Sequence, residues 1–494
     1  MKAVSGGCLR RVPARFVVLS ILCLGTICQY NIKVGFSVAI VAMVQPSNSS
    51  EVSAGGEQAC PGAATPGNSS SDDEHKRYDF AWDESLQGVL LSAFYYGYVA
   101  TQLLGGRLSE MLGTKRVIGG GIGLAGALFA LSPVMARWHV GALVAARVGH
   151  GMLCGVFFPS LQGIFSKWFP REEHQTFSGV LNSFMYIGTI TAMGVTGVLA
   201  AAAWELVFYV YGALAIAWSA LCFLLLHDSP EQHPSISPAE RHYILKDSAR
   251  ETSKASHPVP WCAILSSAPL WATILSQTGG NFISYTFLSE LPTYMKNILK
   301  FNISDSGVVS ALPYVSAWLG CVGSGYLSQL LQRRGWSRLA CYRVFNGINA
   351  IGPAVCLLAI TFVGCQTTAI VLLLVVANLF YATFYGGGSV ANALDLGINF
   401  TGTLYGMNLT VANSMGIVTA LVAGALTNNN QTRGQWEKVF YIAIAFSVAP
   451  YLMFLFCGST EEQPWNKIKE KDDENQNATT ADKKTENEQQ KSTP

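Results

Sequence analysis

Gly106-Arg107-Leu108-Ser109-Glu110-Met111-Leu112-Gly113-Thr114-Lys115-Arg116 places four charged side chains and two glycines between two long apolar runs, residues 84–106 and 117–136. About 20 apolar residues in a helix cross a bilayer core. A short basic turn between two such runs reads as a hairpin of membrane-spanning helices with its turn on the cytoplasmic side. Gly106 and Gly113 let helices approach closely. Glu110 can pair with cationic groups across the half and latch one conformation, with Lys115 and Arg116 completing the turn.

Outward from this turn, similar runs recur near 16–44, 139–163, 175–200, 204–226, 268–293, 306–331, 340–364, 367–390, 400–426 and 436–457. With the first two they make about 12 transmembrane helices, because lipid offers no partner to an unpaired backbone group. Composition agrees. Of 494 residues, 50% are hydrophobic and 13% charged, against about a quarter charged in a soluble domain. The net charge of +2 implies no nucleic-acid partner. The first run is too long for the h-region of a secretory signal and reads as the first span.

The basic residues Arg10, Arg11, Arg15, Lys167, Arg171, Arg333, Arg334 and Arg338 fall on one side of these spans, which puts both termini in the cytoplasm. The 45–80 loop then faces the lumen or exterior. Asn48 and Asn68 in it, and Asn302 and Asn430 in loops on the same side, are glycosylation acceptors by their sequons.

The chain divides into a cytoplasmic N-terminal tail (1–15), a six-helix bundle (16–226), a central cytoplasmic loop (227–267), a second six-helix bundle (268–457) and a charged, disordered tail (458–494). In the central loop, Ser237-Pro238-Ala239-Glu240 has the pattern of a capping box. Gly325, Gln329, Arg333 and Arg334 repeat the turn of Gly106 to Arg116 at the same place in the second half. Parallel repeats of this kind place a substrate near the midplane between them.

Several signals carry no chemistry. Gly121-Ile122-Gly123-Leu124-Ala125-Gly126 has dinucleotide-loop spacing but lies in an apolar run with no preceding strand, so its glycines serve helix packing. No phosphate-binding loop, zinc motif or catalytic constellation appears, so no catalytic residue, metal or cofactor is expected. Most of the 12 cysteines sit in apolar runs; a Cys60–Cys365 pairing stays open.

Two cations interrupt the apolar runs: Lys33 in the first and Arg147 in the fourth. A charge at a helix centre costs about 2.5–3.5 kcal/mol on insertion scales. Arg147 offers a planar fork to a carboxylate or phosphate and Lys33 a point charge; the alternative for each is snorkelling or a structural ion pair. His150 shares the face of Arg147, three residues on, and either titrates or packs. Glu290 and Asp395, at the ends of their spans, are acids that could bind a coupling H+ or Na+ or act structurally. Tyr95, Tyr96 and Tyr285 are candidate hydroxyl donors to a substrate, against simple aromatic packing.

The turn at 106–116 resembles the signature between the second and third spans of major facilitators. Tyr96-Gly97-Tyr98 with Thr101-Gln102, Lys167-Trp168-Phe169-Pro170, Leu291-Pro292-Thr293-Tyr294-Met295, Ala311-Leu312-Pro313-Tyr314 and Leu394-Asp395 resemble the anion–cation symporter branch. That branch holds sialin, the vesicular glutamate transporters and the type I sodium–phosphate cotransporters. The resemblance spans about residues 15–465 and implies an all-α integral membrane protein of the major facilitator fold. It also implies alternating access and cation-coupled symport of a small anion through the lipid bilayer, with no enzyme activity. Arg147 falls on the family's fourth-helix arginine, implicated in anion binding, and Lys33 where the family usually has arginine. Cys154 stands where the family often has glutamate, which puts proton symport in question. Ala393 and Gly397-Ile398 also depart from the pattern, and Leu91 counts against glutamate loading. A non-transporting ligand sensor on the same scaffold is the rival reading. Lysosomal, vesicular and plasma membranes all stay open.

Overall fold

The computed structural model describes residues 13–44, 79–82, 84–170, 173–234, 236–247, 259–287, 307–364, 366–427 and 432–466. The first half comprises α1 (Ala14–Met43), α2 (Glu84–Leu112), α3 (Thr114–Trp138), α4 (Val140–Gly155), α5 (Phe157–Trp168), α6 (His174–Ala202) and α7 (Trp204–Leu225). Helices α4 and α5 form one span interrupted at Val156. The linker carries α8 (Pro238–Asp247) and α9 (Trp261–Leu265). The second half comprises α10 (Ala268–Tyr285), α11 (Gly307–Arg333), α12 (Arg338–Val363), α13 (Thr367–Tyr381), α14 (Thr383–Gly386), α15 (Asn392–Leu396), α16 (Thr401–Thr427) and α17 (Arg433–Cys457).

Nine helical segments among the described residues are long and apolar enough to cross a membrane. The remaining long helices, α2, α10 and α11, are more polar for a reason visible in the packing. Helix α2 lies against α16, and α11 against α6, so both stand at the seam between halves. Helix α10 buries Thr273, Ser276, Gln277, Thr278 and Asn281 inside the protein. Polar residues on these helices meet protein, not lipid. The two cross-seam contacts also expose the repeat: the second span of each half packs on the fifth span of the other.

The linker is tied to the first half. Ser237 Oγ accepts from the Glu240 N–H at 3.1 Å, as a capping residue should. The Glu240 carboxylate does not return to Ser237 as the box pattern predicts. It accepts the Ala14 and Arg15 backbone N–H groups, each at 3.0 Å, and so caps α1. The positive end of a 30-residue helix competes successfully for that charge. Asp228 likewise accepts from the Lys115 N–H at 2.7 Å at the start of α3.

Beyond α17 the chain folds back. The Gln463 N–H donates to the Leu396 carbonyl at 3.0 Å, and Asn466 accepts from the Asn399 N–H at 3.1 Å. The tail is therefore anchored as far as Asn466, eight residues past the expected start of disorder at 458.

Candidate functional site

Helix α4 is held hard against α2. A Cβ on Gly151 would lie 2.0 Å from the Phe94 carbonyl oxygen, so only glycine permits this approach. Arg147, His150, Gly151 and Cys154 are all buried along one face, as their spacing predicts. The Arg147 guanidinium carbon stands 3.9 Å from the Phe36 ring centroid and 5.2 Å from that of Phe94. Its Nε donates to the Leu90 carbonyl at 3.4 Å, and Nη1 lies 3.1 Å from His150 Nδ1. Arginine can only donate, so Nδ1 accepts and the imidazole proton sits on Nε2. That Nε2 is buried with no partner among the described residues.

Lys33 lies one layer nearer the centre. Its ammonium is 5.3 Å from the ring centroid of Tyr30, 5.6 Å from Tyr95 and 4.8 Å from Tyr98. The negative faces of these rings hold the charge. Among the described residues no carboxylate pairs with Lys33 or Arg147.

Lys33 opens onto a cavity between the halves. Its first-half wall includes Tyr30, Tyr98 and Asn182, and its second-half wall Tyr385, Tyr405 and Asn413. The volume is about 30 Å³, room for a few water molecules at most. A larger open groove of about 630 Å³ lies on the linker around His233 and His242; it belongs to the linker surface and not to the seam.

Arg147 does not line the cavity; it is packed behind Tyr95 and Phe94 within the first half, where the rings and the Leu90 carbonyl solvate its charge. Tyr96 is 56% exposed on the outer surface, because one residue along a helix turns the side chain about 100° away from the face that Tyr95 and Tyr98 share. Tyr285 is buried, edge-on to Tyr95 with centroids 5.8 Å apart. Asp395 is ion-paired with Arg338 at 2.9 Å and accepts from the Tyr342 hydroxyl at 2.7 Å. Both partners belong to the second half, so Asp395 has a structural setting away from the cavity. Glu290, the acceptors Asn48, Asn68, Asn302 and Asn430, and the pair Cys60 and Cys365 lie outside the described residues.

The signature turn meets the other half. The Glu110 carboxylate pairs with Arg107 on its own helix at 3.2 Å. Its partner across the seam is not a cation but the start of α16. A Cβ on Gly106 would lie 2.1 Å from the Gly402 carbonyl oxygen, so α2 and α16 touch backbone to backbone. Gly113 sits in the turn, Lys115 is half-buried and Arg116 exposed.

Tyr30, Tyr98, Asn182, Tyr385, Tyr405 and Asn413 were not anticipated from the sequence. The available signal was a polar residue inside an apolar run at helical spacing from a charge, as Tyr30 stands to Lys33.

Known proteins with this arrangement can be recognised. A model of the Major Facilitator Superfamily matches residues 22–420. Human sialin is 35% identical over 458 residues, covering 92% of this chain and 90% of that protein. The chain belongs to the major facilitator superfamily, in the branch that includes sialin. A putative inorganic phosphate cotransporter of Drosophila melanogaster is 32% identical over 471 residues, covering 92% of this chain and 87% of that one. The proton:xylose symporter XylE shares the fold with a TM-score of 0.67 at 12% identity, over 92% of this chain and 98% of its own. The protein is therefore a multi-pass membrane transporter and not an enzyme.

Proposed function

We infer that the protein is a secondary active carrier of small organic or inorganic anions, with its cargo bound at the cavity beside Lys33. The single observation that carries this reading is the Lys33 ammonium, caged by three tyrosine rings at the seam with no acidic partner among the described residues. An unpaired charge inside a protein is costly unless something neutralises it part of the time, and an anionic cargo does so. Arg147 adds a second positive charge from behind. The naming of its relatives as sialin and a phosphate cotransporter supports the same class.

A cavity of about 30 Å³ excludes an organic anion, so cargo enters only when the halves part. Alternating access follows, with cargo and coupling ion binding the two states unequally. A coupling H+ or Na+ belongs to the symport reading, and no carboxylate is among the described residues lining the cavity. The relatives point to a lysosomal or vesicular membrane, with both termini cytoplasmic by their charge.

Uptake of radiolabelled sialic acid, glutamate, urate and phosphate into proteoliposomes, with and without pH and sodium gradients, tests this. Saturable uptake of at least one anion is expected. Saturable binding with no flux of any of them would replace the carrier by a sensor.

A further inference from the structure

The second-half wall of the cavity offers an anion few groups. Tyr385 is committed: its hydroxyl accepts from the Tyr381 hydroxyl at 3.0 Å and donates to Asn281 Oδ1 at 3.2 Å. The Asn281 amide nitrogen donates to Asn413 Oδ1 at 3.2 Å, and the Tyr285 hydroxyl donates to the same oxygen at 3.0 Å. The Tyr285 hydroxyl reaches no other acceptor among the described residues, so it gives its proton to the Asn413 carbonyl, and the Asn281 group facing that oxygen must then be its amide nitrogen. This requirement fixes which way both asparagine amides point. The carbonyl of Asn413 is turned into the second half and filled by two donors. Asn413 lines the cavity, and its amide nitrogen, with two hydrogens, has no protein acceptor among the described residues.

Asn182, on the opposite wall, is oriented the other way. Its amide nitrogen donates back to the Ser178 carbonyl at 2.9 Å and hydroxyl at 3.1 Å, which leaves its carbonyl as the group available to the cavity. The two asparagines are thus set as acceptor and donor across one space, with the Lys33 ammonium on the first-half side.

We propose that Asn413 is a cargo-binding residue: its amide N–H groups donate to an anionic oxygen of the cargo from the second half, opposite Lys33, in an orientation set by Tyr285 and Asn281. The chemistry recognised is an oxyanion, carboxylate or phosphate, that can span the two halves. Such a donor links the halves through the cargo, because Lys33 belongs to α1 and Asn413 to α16. A neutral donor of this kind adds affinity without adding a further buried charge. The proposal rests on the anion-carrier reading above, and its test separates the two.

Uptake kinetics in proteoliposomes are measured with sialic acid, glutamate and inorganic phosphate as probes, beside thermal stability in detergent. Asn413→Ala is expected to raise KM about tenfold, equivalent to about 1.4 kcal/mol, with little change in maximal rate. Asn413→Asp, which sets a carboxylate against the anion, is expected to abolish uptake. Tyr285→Phe removes one of the two donors that hold the carbonyl and should raise KM several-fold, which a purely packing role for Tyr285 would not do. If Asn413→Asp fails to fold, Asn413→Ala and Tyr285→Phe decide. Unchanged KM in both, with Lys33→Gln inactive, overturns the role of Asn413 and leaves the carrier reading standing. Full uptake by Lys33→Gln overturns the cargo site beside Lys33, and saturable binding with no flux of any probe by the unmodified protein overturns the carrier reading itself.

Discussion

Glu110, in the last turn of α2, and Thr403, in the first turn of α16, join the two halves. The Glu110 carboxylate accepts the Thr403 backbone N–H at 3.0 Å and its hydroxyl at 3.1 and 3.0 Å. A helix N-terminus presents unpaired N–H groups and a partial positive charge, so the carboxylate meets the start of a 27-residue helix. The contact closes the end of the seam that carries the basic turns.

Removing this contact is predicted to favour the state open at that end. Glu110→Ala deletes charge-assisted hydrogen bonds worth about 1.5–3 kcal/mol, enough to shift the ratio of the two states roughly tenfold or more. Glu110→Gln keeps one acceptor and should shift it less. Alkylation rates of single cysteines introduced along the seam near Tyr405 measure the shift. Equal rates in all three proteins would remove the latch.

Arg147 and His150 share a hydrogen bond that leaves no place for a second proton. Protonating Nδ1 would break the contact and set two cations about 3 Å apart, at a repulsion of several kcal/mol in a protein interior. His150→Asn keeps an acceptor for Arg147, so it is predicted to preserve the pH profile of uptake. His150→Ala leaves the guanidinium short of a partner and should destabilise the protein by about 1–3 kcal/mol. Thermal unfolding and uptake between pH 5.5 and about 8, a window spanning the ordinary histidine range, check both. A profile flattened by His150→Asn would make the imidazole the proton carrier after all.

One close approach in the fold-back beyond α17 requires a glycine. A Cβ on Gly397 would lie 2.4 Å from the Trp465 ring. Gly397→Val is therefore predicted to expel Trp465 and to cost about 1–3 kcal/mol, the usual penalty of overpacking. Trp465→Ala should cost a similar amount, and the double variant no more than either alone, since both break one contact. Thermal shifts of the three proteins are the measurement; additive losses would mean the two residues act separately.

The scaffold was legible because lipid forces a simple code. Runs such as 204–226 and 340–364 have no alternative to helix, and their ends fall within a few residues of α7 and α12. The buried face of Arg147, His150 and Cys154 was equally legible, since helical periodicity alone defines it. Which face points at the cavity was not. That depends on how α1, α2 and α4 rotate about one another, set by contacts such as Gly151 on Phe94, and it moved Arg147 behind the cavity and Tyr96 to the outside. The partner of Glu110 was also hidden, because a helix N-terminus 293 residues away leaves no charge pattern in the chain. Gly397, visible in the sequence only as a departure from its relatives, finds its reason in Trp465.

Lys33 carries the central claim, and one comparison tests it most directly. Initial uptake of the best-transported anion is measured in proteoliposomes holding equal amounts of unmodified, Lys33→Arg and Lys33→Gln protein of matched thermal stability. Lys33→Arg is predicted to retain transport with altered KM, and Lys33→Gln to lose at least about 90% of it, corresponding to a lost charge interaction of about 1.4 kcal/mol or more. Uptake by Lys33→Gln at the unmodified rate and KM would contradict the account.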